Sequence, residues 1–248
     1  MLTIGRVLFA IAVCAFGVQA MLYGHFSAGL PPWPPSTPGA PLAAYVLGVV
    51  LMLCGVCFVI PAFARQAALG VAVLFGIGAL LHLGHIPQLV SDGQERTRFF
   101  EPLALGAAAL VLYGVLEIGR GRADGLERAG RYVFALCLIV FGMQHFEYAP
   151  FIASLIPAWM PGHLPLAYFT GSAFIAAGLA IATGLLARVG AGLGGLMFFL
   201  WVAALHGPRV SNALLNGNEW SSLFVALGMA GACWIVASTF PRGKMDIV

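Results

Sequence analysis

Charge is what this sequence has least of. Of its 248 residues only 8% are Asp, Glu, Lys or Arg, while 61% are hydrophobic. A soluble domain carries roughly a quarter charged residues. So few charges cannot cover a water-facing surface, and most of the exterior must meet lipid. The mean hydropathy of +0.96 agrees. The net charge of +3 is small and no basic run occurs, which excludes a nucleic-acid partner. Cysteine outside the apolar stretches is also missing. Cys14, Cys54, Cys57, Cys137 and Cys233 all lie within them, so no disulfide framework is implied and no redox compartment is indicated. No nucleotide loop, nucleophile elbow, zinc-protease helix or EF-hand pattern occurs. The glycine-rich run 190–195 is not a phosphate loop, because it opens a membrane helix with no strand before it.

What is present is a series of long apolar runs. A bilayer core needs about 20 apolar residues per helix, and lipid offers backbone polar groups no partner, so such runs must be helices. Spans are expected near 7–27, 42–62, 67–89, 99–118, 132–151, 165–186, 190–208 and 221–239. The first resembles a signal peptide, but it is long for one and a matching stretch recurs mid-chain; it reads as a retained helix. With the N-terminus cytoplasmic, inner segments hold Arg6, Arg65, Arg120, Arg122, Arg128, Arg131, Arg188, Arg242 and Lys244, and outer loops hold Arg96, Arg98 and Arg209. That bias places both termini in the cytoplasm of a multi-pass cell-membrane protein.

The chain repeats itself. Gly5-Arg6, Phe9-Ala10, Phe16-Gly17 and Gln19 match Gly130-Arg131, Phe134-Ala135, Phe141-Gly142 and Gln144. The Pro31–Pro35 loop around Trp33 matches Pro157–Pro161 around Trp159. Tyr45 and Gly48 match Tyr168 and Gly171, Ala64-Arg65 matches Ala187-Arg188, and His85-Ile86-Pro87 matches His206-Gly207-Pro208. The expected fold is therefore all-α: eight transmembrane helices as two parallel four-helix repeats, 1–120 and 132–248, joined by a charged, glycine-rich cytoplasmic linker at 121–131. The many small residues in the spans let helices approach closely.

Polar residues near a membrane are informative because burying them is costly. They favour one side. Gln19, His25, His82 and His85 lie toward the outer end of the first unit, and Gln144, His145, Glu147, His163, His206, Arg209 and Asn212 toward that of the second. All six histidines are in the outer half. His25 ends span one and His85 ends span three; His145 and His206 stand in the same relation. Each pair is positioned to face across a bundle, and two inward imidazoles suit a haem iron or another transition metal. His85 and His206 are the candidate metal ligands. Gln19, His25, Gln144, His145 and Glu147 join them as candidate cofactor contacts, with haem, a metal or a quinone as the ligand classes. Glu147, two residues from His145, points elsewhere unless the helix frays.

Each of these residues also has a plainer reading. His25 and His163 suit the headgroup interface. The His-x-Pro pattern suits a histidine capping a helix that proline ends. His82 suits a buried, hydrogen-bonded histidine, and Gln19 and Gln144 suit interhelical hydrogen bonds. Glu147 suits either solvent or a cavity carboxylate, and Glu101 and Glu117 an interface. Cys54-Gly-Val-Cys57 has redox spacing but no thioredoxin-like context and no counterpart in the second unit. The proline-tryptophan loops suit interfacial anchors or a lid.

Gly5-Arg6 opening span one, the proline-tryptophan loop, Tyr168-Phe-Thr-Gly171, the Ala187-Arg188 turn and the polar end of span three together resemble the DoxX-like membrane family. The resemblance covers almost the whole chain. Typical members look like one four-span unit, whereas this chain carries two. The resemblance implies a four-helix bundle associated with respiratory or thiol redox, through quinol oxidation or thiosulfate–quinone electron transfer. The family supplies no agreed catalytic motif, so the histidines stand on the residue reading alone. Two functions remain side by side: a redox membrane protein working at the outer face with redox partner proteins, or a non-catalytic subunit that anchors a larger complex. A transporter is disfavoured, because the spans show neither mid-depth charge nor obvious broken helices.

Overall fold

A computed structural model describes residues 1–24, 36–117 and 124–241. Among them there is no strand, and eight helices are long and apolar enough to cross a membrane. In chain order the helices are α1 (Leu2–Tyr23), α2 (Ala40–Val59), α3 (Ala64–Leu81), the short α4 (Ile86–Ser91), α5 (Gly93–Glu117), α6 (Asp124–Glu147), the short α7 (Ala149–Leu155), α8 (His163–Thr183), α9 (Ala187–Trp201), the short α10 (Gly207–Asn212) and α11 (Gly217–Ser238). The end from which α1 starts is called proximal below, and the opposite end distal.

Three features differ from the sequence expectation. First, α6 begins at Asp124, inside the stretch read as linker. Residues 124–131 continue as helix because Glu127 pairs with Arg131 one turn on, at 3.0 Å, and Gly114 of α5 makes room for Glu127. Second, the third span of each half is not one uniform helix. After α3 the chain tightens into a 3₁₀ turn at His82–His85, and after α9 it widens into a π turn at Val202–His206. The proline two residues past each turn, Pro87 or Pro208, removes one ladder donor and opens the next short helix. Third, Glu117 is buried rather than interfacial; Arg65 at the start of α3 donates to it at 2.6 Å.

Packing follows the small residues. α1 lies chiefly against α2 and α11, and α6 against α8 and α5, while α5 and α11 touch at the centre. On α1 and α2, a Cβ at Gly17 would stand 2.5 Å from the Gly48 carbonyl, and one at Gly48 2.8 Å from that of Gly17. On α6 and α8 the matched Gly142 and Gly171 repeat this at 2.6 and 3.0 Å. A Cβ at Gly5 of α1 would stand 2.8 Å from the Gly231 carbonyl of α11, and one at Gly130 of α6 2.7 Å from the Ala107 carbonyl of α5. Without a hydrophobic force between helices in lipid, such contact supplies much of the association energy. α5 and α11 are the most buried of the eight spans, and the α9 span is the least.

Candidate functional site

The distal end is built around the first turns of α5 and α11. Each starts with a side-chain cap: the Asp92 carboxylate accepts from the Gln94 N–H at 2.8 Å, and the Asn216 carbonyl from the Asn218 N–H at 3.0 Å. Each then reads Gly-x-Glu-x-Thr/Ser, as Gly93, Glu95 and Thr97 or Gly217, Glu219 and Ser221. Onto each of these turns comes span one of the other half. The Gln19 amide donates to the Gly217 carbonyl at 2.6 Å and to Ser221 Oγ at 2.7 Å. The Gln144 amide donates to the Gly93 carbonyl at 2.8 Å and to Thr97 Oγ1 at 3.1 Å. One turn further, the rings of Tyr23 and Tyr148 lie over Gly217 and Gly93; a Cβ would be tight at Gly217 and would clash at Gly93. Both glutamines are buried, and each carboxamide oxygen lacks a donor among the described residues.

Interhelical hydrogen bonding therefore accounts for Gln19 and Gln144. The sequence reading missed their receptors. The signal was available: Gln-x-x-x-Tyr recurs at 19–23 and 144–148, and Gly-x-Glu-x-Thr/Ser at 93–97 and 217–221.

The charged residues divide between these two clusters. Arg96 donates to Glu147 at 2.6 Å and to the carbonyls of Leu89 and Val90, so Glu147 is tied to α5 and not to His145. α6 does end at Glu147, and the next residue, Tyr148, hydrogen-bonds that carboxylate, which pushes the phenol above its ordinary range. Glu95 binds Arg98 and lies 3.6 Å from Nδ1 of His82, a fully buried ring. Glu219 is gripped by Arg209 through two contacts, Nε to Oε2 at 2.8 Å and Nη2 to Oε1 at 2.9 Å. A planar guanidinium that meets a carboxylate at both oxygens is the strongest of these arrangements.

The histidines fare differently. His25 and the side chain of His85 lie outside the described residues, as does the Pro31–Pro35 loop. His145 donates from Nδ1 to the Phe141 carbonyl at 2.7 Å, which leaves Nε2 as the acceptor of the neutral ring. That ring packs edge-on against Phe174 at 5.1 Å, and Phe174 packs against Phe198 of α9 at 5.0 Å. An aromatic pair thus links α6 to α9 beside His145. His163 meets the Pro157 carbonyl at 3.1 Å and closes its own loop. His206 ends the π turn with Nδ1 buried and without a hydrogen-bond partner among the described residues.

Among the described residues no three His, Cys, Asp or Glu side chains gather as a metal set. The five thiols are free, and Cys14 serves packing: it lies against Gly55 and reaches the Met52 carbonyl at 3.5 Å.

The proximal end has clamps. Arg65 holds Glu117 at the end of α5, and the matched Arg188 donates to the carbonyls of Ala237 and Phe240, at 3.2 and 2.9 Å, at the end of α11. No family model, no curated protein and no solved structure matches this chain.

Proposed function

We propose that this is an internally duplicated, DoxX-like protein of the cell membrane that takes part in quinone-linked redox chemistry at its distal end. Both termini are cytoplasmic in this reading, and the distal end faces outward, because the proximal segments carry most of the arginines. The observation that carries the reading is a pair of polar groups, His82 with Glu95 and His206 near Arg209 and Glu219, each where a third span changes winding and meets the fourth. Ionisable groups beside a broken membrane helix are costly to hold and serve ligand or proton chemistry.

A second reading, a non-catalytic assembly subunit, is supported by a different observation. The matched Gly17, Gly48, Gly142, Gly171, Gln19, Gln144, Arg65 and Arg188 all serve helix-to-helix contact.

The test is a visible absorption spectrum, metal analysis and organic extraction of the detergent-purified chain, followed by quinol oxidation in proteoliposomes. Co-purified quinone with turnover that His206→Ala lowers at least tenfold supports the redox reading. A Soret band would replace quinone with haem. A colourless, quinone-free and inactive protein that co-purifies with a stoichiometric membrane partner supports the assembly reading.

A further inference from the structure

The two halves treat the glutamate of their fourth span differently. In the first, Glu95 pairs with Arg98 of its own helix and lies 3.6 Å from the His82 imidazole. In the second, Arg209 of α10 occupies Glu219 at both oxygens, whereas α4 of the first half carries no basic residue. Among the described residues, Nδ1 of His206 and Nε1 of Trp201 are both buried without a hydrogen-bond partner. The other described indoles are not in this state. Trp220 donates to the Leu214 carbonyl at 3.0 Å, Trp234 donates to the Gly192 carbonyl at 3.1 Å, and Trp159 is exposed.

Trp201 and His206 bound the π turn, five residues apart. In a helix with i→i+5 bonding this spacing puts them on one face. A buried hydrogen-bonding group without a partner costs about 1–3 kcal/mol. Two such groups stand on one face of a rare helix form that recurs at functional sites.

The geometry points to a binding site in the second half for a neutral, membrane-soluble molecule with a carbonyl or hydroxyl oxygen, held between Trp201 Nε1 and His206 Nδ1. An indole N–H only donates, so the ligand must present an acceptor oxygen. The imidazole nitrogen donates to a carbonyl or accepts from a hydroxyl according to its tautomer, so both forms of one ring system fit. Neutrality follows from the surroundings. The charges beside His206, Arg209 and Glu219, are already bound to each other, and a charged ligand would have no counter-ion. Entry is from the bilayer. The α9 span is the least buried of the eight, with Leu193, Leu196 and Leu200 exposed along it, and both rings are only half-buried. This inference deepens the redox reading by assigning it a half and two atoms; the site itself requires no turnover.

The test uses the full chain in nanodiscs, labelled with ¹⁵N-tryptophan, and decylbenzoquinone as probe. The indole resonance that disappears in Trp201→Phe is expected to move saturably, while those of Trp220 and Trp234 stay in place. His206→Ala is expected to weaken the apparent Kd about tenfold, the effect of one lost buried hydrogen bond. Trp201→Phe, which keeps a ring and removes only the N–H, weakens probe binding by a similar factor in equilibrium dialysis. An unmoved Trp201 indole, a shift shared by all indoles, or an unchanged Kd in both variants overturns the site. Quinol turnover with an unmoved Trp201 sinks the site and leaves the redox reading standing. A saturable shift with no turnover keeps the site and removes the redox reading.

Discussion

The first and second halves of the chain agree in their backbone contacts and disagree in their charges. Gly17 on Gly48 matches Gly142 on Gly171, and Gln19 on the first turn of α11 matches Gln144 on that of α5. The ion pairs are where the halves part. Proximally, Arg65 meets a carboxylate while Arg188 meets two carbonyls. Distally, Glu95 pairs with Arg98 of its own helix beside His82, while Glu219 pairs with Arg209 of the preceding short helix. Contacts that bring helices together tolerate no added atom and so stay paired. Side chains at the ends of spans can exchange partners without moving a helix, and there the halves have taken different chemistry.

The largest effect is expected where the halves agree most closely. Gly17→Val and Gly142→Val each push a side chain into a carbonyl on the neighbouring helix, so the helices must separate. Each should cost about 3 kcal/mol or prevent folding, read as SDS-induced unfolding in mixed micelles. A large cost at one site and none at the other breaks the match between the halves.

Next come the proximal clamps, which sharpen the contrast. Arg65→Ala leaves the buried Glu117 without its ion pair, and Arg188→Ala leaves only carbonyls unmet. The first should cost about 2 kcal/mol, discounted because Arg65 is 33% exposed. The second should cost about 1 kcal/mol. The same unfolding assay ranks them, and the reverse order would contradict the assignment.

Smaller again are the glutamine clamps. Gln19→Leu and Gln144→Leu should each cost about 1 kcal/mol. The two costs should be equal and additive. The smallest effect is expected at Gly76, where an added Cβ meets nothing within 4 Å. Gly76→Ala should leave stability unchanged or raise it by about 0.5 kcal/mol, seen as a small rise in Tm.

The eight spans were legible because lipid forces each to be long and apolar, and Gln19 and Gln144 were legible because the repeat marks them. The receiving turns at Gly93–Thr97 and Gly217–Ser221 were not. Their first residues are polar, so a hydropathy reading starts span four at 99 and 221, one or two turns late, and assigns Glu95 and Arg96 to a loop. Helix continues through them because caps, glutamines and ion pairs satisfy their polar groups. The changes of winding at His82–His85 and Val202–His206 were missed for another reason. The stretch leading into each is apolar, and the proline that marks it lies beyond the turn. The stacking of His145 on Phe174 depends on the approach of α8 and is invisible to spacing along α6.

The Gln19 clamp also sets an order of assembly. Its acceptors on α11 lie 198 and 202 residues further along the chain. At a synthesis rate of about 5–20 residues per second, α1 waits roughly 10–40 s between leaving the ribosome and meeting its partner. Through that interval its carboxamide has no Gly217 carbonyl or Ser221 hydroxyl to bind, while the equivalent Gln144 finds Gly93 and Thr97 already made. A helix made early is thus locked late, and a chain that stalls before α11 leaves Gln19 as an unmet polar group within the bilayer.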